Sequence, residues 1–241
     1  MRHLRERNVP GVGSAKGASG DAKPAITPRI SRRFRALRRQ PLQMRGQQRV
    51  SDVLDATEQL LRRKRFDLIT MEDVARRAGL RFGSLYFFFR NKSSVFVSVV
   101  ERVLQAEADT FRAVSAGKGR SLSGYLCELE QQLQELWAPR RALLDLYLAY
   151  QRHPAISCFV LELRAQVSRD IAGKLHRLYP GLRMRTAIDI GEQIGIVIAV
   201  LHDNLAYTPK SAHARLRREC FAMLRAYVLS RTRRPRLRRA A

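Results

Sequence analysis

The chain has 241 residues, enough for one or two small domains with a buried core. Its 46 lysines and arginines face 21 aspartates and glutamates, a net charge of +25 that favours polyanionic partners, nucleic acid before an anionic membrane surface. Three dispersed cysteines (Cys127, Cys158, Cys220) and five scattered histidines give neither a disulfide framework nor a metal-ligand spacing, which suits a reducing compartment.

In chain order, residues 1–45 come first, with twelve basic and two acidic side chains among glycine, alanine, serine and proline. The stretch has no periodic apolar residues to offset its ordering entropy, so a disordered basic extension is expected. Three readings stand for it: a phosphate-tracking arm, a transit-peptide-like segment, or a stretch preceding a true start at Met44. No apolar signal-peptide core is seen there, and the longest apolar run, 194–201, falls far short of the ~20 residues of a membrane helix. A soluble, cytoplasmic protein with no membrane partner is expected.

From 46 to 230 the periodicity is helical throughout, and no window alternates like a strand. Helices are predicted over 47–64, 71–78, 82–88, 92–115, 121–137, 139–152, 155–178, 183–206 and 212–230. The first carries the stripe Val50, Val53, Leu54, Thr57, Leu60 and Leu61 on one face. Thr70, followed three residues later by Asp73, reads as a capping box. The short helix after it offers Val74, Ala75 and Ala78 to a core and stops at Gly79, which tolerates a left-handed backbone. A second short helix places Leu85 and Phe89 on one face. A supporting helix followed by two short ones across a tight glycine turn is a helix-turn-helix, here over 70–89, the unit that enters the major groove of DNA.

The run from Thr70 through Val74-Ala75, Ala78-Gly79, Gly83, Leu85-Tyr86 and Phe89 to Lys92 resembles the TetR family of transcriptional regulators. The resemblance covers 47 to about 100 and continues beyond only as a succession of helices. It implies an all-α fold: a three-helix DNA-binding domain over 46–106, then a helical effector-binding and dimerisation domain over 107–230, with an arginine-rich tail at 231–241. It also implies DNA-contacting roles. Thr70, Tyr86 and Lys92 would hold phosphates, and Phe82, Gly83, Ser84 and Phe87 would face base edges or the adjoining backbone. Arg65 stands where a C-capping glycine is usual, an expected loss of up to ~1 kcal/mol. Arg81 stands where serine or threonine usually caps the recognition helix, at ~0.5–2 kcal/mol, although its guanidinium could reach a phosphate or a guanine edge. Phe89 is read as core, as is Phe88. Phe82 and Phe87 fall on the other face, where thymine methyl groups or the fourth helix would cover them.

The segment 194–201 is apolar almost all round and must be covered on two sides. The last helix carries a matching stripe. Ile194, Ile198, Leu201, Leu216, Cys220, Leu224 and Tyr227 are therefore expected at a four-helix homodimer interface. The middle helices mix Trp137, Tyr147, Tyr150, Cys158, Phe159 and His176 without a recognisable ligand set, and ordinary packing accounts for each. No cofactor is implied, though the resemblance leaves room for a small-molecule effector of unknown identity. No catalytic or metal-binding constellation is found. Glu192, His202 and Asp203 on one helix read as interface or surface groups. The expected function is a regulator, effector-responsive and repressing, that binds a palindromic double-stranded operator as a dimer. The alternative is a non-specific nucleic-acid or anionic-surface binder driven by the two ends, which carry 16 of the 25 net charges.

Overall fold

The computed structural model describes residues 44–232; the reading of 1–43 and most of the arginine-rich tail fall outside them. The described residues form helices α1 (Met44–Leu61), α2 (Met71–Arg77), α3 (Phe82–Phe88), α4 (Lys92–Ala116), α5 (Leu122–Trp137), α6 (Arg141–Tyr150), α7 (Pro154–Leu178), α8 (Met184–Tyr207) and α9 (His213–Thr232), joined by short turns. The all-α expectation holds. None of these helices is long and apolar enough to cross a membrane.

Local chemistry sets the boundaries. Asn91 starts α4 with a reciprocal capping box, its side chain accepting from the Ser94 amide while Ser94 Oγ accepts from the Asn91 amide. Ser121 caps α5 by accepting from Gly124 N–H, and Pro154 opens α7 where a missing amide costs nothing. The cost expected at Arg65 is not incurred. α1 ends at Leu61, and Arg65 is extended at φ −59°, ψ 149°, so no left-handed residue is required there.

Two apolar cores share three helices, α4, α7 and, through Trp137, α5. The first joins α1–α3 to Val95–Val103 of α4 and also takes in Leu143, Leu146 and the first turn of α7. The second is built from the remainder of α4 and α7 with α5, α8 and α9. α6 is thereby embedded in the same core as the helix-turn-helix. Phe66, in the turn between α1 and α2, stacks edge-on against Phe96 of α4 and Tyr150 of α6 with centroids 6.2 and 6.4 Å apart. Arg102 of α4 reaches both Asp55 and Glu58 of α1, and Arg140 lies 3.7 Å from Glu58.

In the second core the buried Lys174 lies above the Tyr125 ring and donates to the carbonyls of Gly117 and Gly119 at 2.7 and 3.0 Å. A buried ammonium without an acid is costly unless hydrogen-bonded. Here it ties the α4–α5 turn to α7, and desolvation holds its pKa below the usual lysine value.

The face of α8 and α9 expected to meet a second copy is largely internal. Ile194, Ile198 and Leu224 are at most 2% exposed, and Leu201 and Cys220 are buried beside them. Ile194, Ile198 and Leu224 pack in the core with α5 and α7, while Leu201 and Cys220 also border the groove between α8 and α9. Leu216 and Tyr227 are only partly buried, at the margin of that core. The uncovered apolar surface lies one helical step round, at Val197, Val200 and Met223, the last two 51% and 60% exposed. α8 is thus covered by its own chain on the face of Ile194 and Ile198, and the apolar residues left exposed are not those expected at a dimer interface.

Candidate nucleic-acid interface

Asp73 is the node of the α1–α2–α3 unit. Its carboxylate accepts from Lys64 Nζ at 2.5 Å, from the Thr70 amide at 3.0 Å and from Arg76 at 2.7 Å. Thr70 Oγ1 in return accepts from the Asp73 amide at 3.1 Å, completing the expected capping box. Sequence reading did not find Lys64, since only tertiary folding brings it back over the start of α2. The Lys64 hydrogen bond, then the Thr70 amide, lower the Asp73 pKa from 3.8 to about 2. The folded-state pKa is depressed, so the contribution is full above the unfolded value and fades as pH falls from about 4 through about 2. The stability gap between the native chain and Asp73→Asn is expected to shrink over that window in urea titrations. A gap that does not change with pH would contradict the role given to this carboxylate.

α2 ends as the glycine signal implied. Gly79 has φ 65°, its amide donates to Arg76 O, and the Leu80 amide donates to Ala75 O at 2.9 Å, a Schellman closure. The chain then enters α3 at Arg81, which is extended and makes no side-chain cap, as its guanidinium predicts. The Ser84 amide instead closes on Arg81 O at 2.9 Å.

α3 has two chemically opposite faces. Leu85, Phe88 and the C-capping Phe89 are buried, Leu85 and Phe89 completely. Arg81, Phe82, Gly83 and Phe87 are exposed, the two phenylalanines at 43% and 49%. The Phe82 ring stacks edge-on against the half-buried Tyr86 at 4.9 Å, and Phe87 packs on Phe88 at 5.1 Å. Ser84 is half-buried and Thr70 exposed. Gly83 has helical neighbours and open space where a Cβ would stand, so nothing within the chain calls for glycine at that position.

Lys92 is placed differently from the rest. Its ammonium donates to Asp67 O at 3.1 Å and lies above the Phe96 ring, which pins the start of α4 to the α1–α2 turn. The segment from Thr70 to Phe87 otherwise offers the cations Arg76, Arg77 and Arg81 across α2 and the turn, with apolar rings and an accessible backbone on α3, the chemistry of major-groove contact.

A second polar grouping lies deep among the later helices. Glu107 of α4 accepts from Trp137 Nε1 at 3.0 Å and lies 3.7 Å from His202 Nδ1. Asp203 has a buried oxygen without a partner among the described residues, and desolvation raises its pKa. His202 and Asp203 are thus half-buried and internal rather than surface groups. Of the middle-helix residues singled out in the sequence, Trp137 and Tyr147 line internal cavities. Tyr150 belongs to the Phe66 cluster, and His176 bonds Leu182 O in the α7–α8 turn. Glu107 gave no signal, because its partners come from α5 and α8. The described residues hold no group of three or more side chains suited to a metal ion.

Residues 53–99 match the model of bacterial regulatory proteins of the tetR family. The HTH-type transcriptional regulator YfiR of Bacillus subtilis (strain 168) is 29% identical over 90 residues, 36% of this chain and 44% of that protein, so the match spans less than half of the relative. Among solved structures, one from Mesorhizobium loti MAFF303099, described as a TetR-family transcriptional regulator, superposes with a TM-score of 0.64. It is 19% identical and the match covers 78% of this chain and 98% of that one. A tetR-family regulator from Streptomyces coelicolor gives 0.59 at 15% identity, covering 76% and 83%. At these identities the superpositions establish a common fold.

Proposed function

We propose that this chain, which belongs to the tetR family of bacterial regulatory proteins, is an effector-responsive repressor that grips a palindromic operator as a homodimer. The family match and the regulator relative support a DNA-binding transcriptional regulator over an enzyme. The observation that carries the finer reading is the division of α3, which buries Leu85 and Phe88 and presents Arg81, Phe82, Gly83 and Phe87 outward. Exposed phenylalanines on a short helix entered through Arg81 are unfavourable in water and suit thymine methyl groups. Gly83 costs the helix ~1 kcal/mol against alanine with no packing return inside the chain, which favours close approach of a DNA backbone.

The dimer reading is supported by the uncovered groove between α8 and α9, lined by Val197, Val200, Leu216, Cys220 and Met223. A second copy would cover it and set two recognition helices one DNA turn apart. An effector would act through the later helices, since α6 sends Leu144 and Tyr147 to cavities and Leu143 and Leu146 to the core shared with α1–α3. A ligand that favours one position of α6 would change operator affinity by its differential binding.

The test is operator binding measured by anisotropy on fragments selected with the full chain. Gly83→Ala is expected to raise unfolding stability by about 0.5–1 kcal/mol while weakening operator binding. Tyr86→Ala should weaken binding on all sequences alike, whereas Arg81→Ala or Phe87→Ala should alter base preference by about 1–3 kcal/mol at one or two positions. Normal operator binding by all four variants would overturn the docking model. The Arg-rich ends favour a second reading, non-specific polyanion binding. Deleting 1–43 and 233–241 would then abolish binding, instead of leaving specific binding with a shallower salt dependence.

A further inference from the structure

A cavity of about 260 Å³ lies between α5, the end of α8, the turn after it and the start of α9. Its wall is apolar, with Leu133, Trp137, Ile198, Leu201 and Phe221. Its charged lining is uneven: Lys210 and Arg217 stand against Glu130 alone. Neither cation makes an ion pair or hydrogen bond with any described residue. The two histidines of the lining are engaged by the protein, His202 facing Glu107 at 3.7 Å and His213 bonding Thr208 O at 2.8 Å. Trp137 Nε1 is likewise taken by Glu107. Gln134 adds a neutral amide at the exposed rim beside Lys210, so the charged capacity left over is mainly cationic, and it sits beside a surface that favours hydrocarbon.

On the effector-responsive reading above, we propose that this cavity is the effector site and that it takes an amphipathic monocarboxylate. The carboxylate pairs with Arg217 and Lys210, and the apolar body lies against Trp137 and Ile198. A carboxylate gains charge-assisted hydrogen bonds from both cations. An ammonium of the same shape meets two like charges, and a neutral alcohol leaves both cations as they are. The single acid, Glu130, opposes the carboxylate from the same lining and sets a built-in control. Leu144 joins this cavity to α6 and hence to the helix-turn-helix core, so occupancy bears on the recognition helix.

Trp137 is the only tryptophan of the chain, so its fluorescence reports occupancy of this cavity directly. The full-length protein is titrated with octanoate, 1-octanol and octylammonium. Octanoate is expected to shift Trp137 emission saturably, with a Kd at least about tenfold below that of octanol and with octylammonium weakest. Arg217→Gln and Lys210→Gln should each weaken octanoate roughly three- to tenfold and leave octanol unchanged, which also shows that the cavity is intact; Glu130→Gln should tighten octanoate. Equal or tighter binding of octylammonium or octanol, unaltered octanoate affinity in both cation variants, or no saturable response to any probe would overturn the assignment. Operator retention with and without octanoate separates the two readings. Charge-selective binding that leaves operator affinity unchanged overturns the effector role while the ligand class stands. Charge-blind binding that does release the operator overturns the ligand class and keeps the effector role.

Discussion

Phe89→Ala is expected to lower unfolding stability by about 3–5 kcal/mol, the usual cost of emptying a buried aromatic site, and to abolish operator binding near the growth temperature. Phe89 is completely buried at the C-cap of α3, where its amide closes the helix on Leu85 O at 2.9 Å. It packs in the core shared by α1–α4 and α6. The cavity left by alanine would therefore open beneath the recognition helix rather than at a margin. Phe87, two residues earlier, supplies the contrast. It is 49% exposed and stacks edge-on against Phe88, so Phe87→Ala should cost no more than about 0.5–1.5 kcal/mol in stability. Urea unfolding of the two variants side by side decides the matter. Similar losses would mean that the inner and outer faces of α3 are wrongly assigned.

Gly191→Ala is the second substitution with a large expected effect. A Cβ at Gly191 of α8 would lie 2.5 Å from Ser168 O and 3.2 Å from Ser168 Cα on α7. The neighbour is backbone, so it cannot rotate aside, and α7 and α8 would have to separate along their shared length. Overpacking of that kind costs about 1–3 kcal/mol, more than the ~1 kcal/mol that alanine returns in helix propensity. Gly195→Ala, one turn on, meets only Val167 Cγ1 at 3.8 Å, an ordinary contact, and should be neutral or stabilising. A thermal-melt comparison with Gly191→Ala no less stable than Gly195→Ala would refute the close α7–α8 crossing. Because α8 also carries His202 and one wall of the cavity, the same variant should weaken octanoate binding.

Much of the DNA-binding unit was legible from local signals. Thr70 and Asp73 form a capping box whose partners are three residues apart, and Gly79 ends α2 through its own left-handed backbone, so neighbouring residues suffice to read both. Leu85 and Phe89 lie on the buried face that their spacing implies. Arg65 misled because a sequence position does not show where the preceding helix ends: α1 finishes four residues earlier, and Arg65 never needs the backbone that favours glycine. The hydrogen bond of the Lys92 ammonium to Asp67 O was not legible, because its partner lies twenty-five residues earlier.

What the sequence determined by itself is the succession of helices, the helix-turn-helix and the buried face of α3, because capping, termination and amphipathic spacing act over a few residues. What the tertiary structure alone decided is which of several apolar faces turns inward. A helix that is apolar all round has no unique inner face in its periodicity, and so Ile194, Ile198 and Leu224 went to the chain's own core while Val197, Val200 and Met223 were left outside. The same holds for the embedding of α6 beside α1–α3 and for the meeting of Glu107 with Trp137 and His202. These contacts join residues tens of positions apart, and their energies depend on packing between helices that no local pattern encodes.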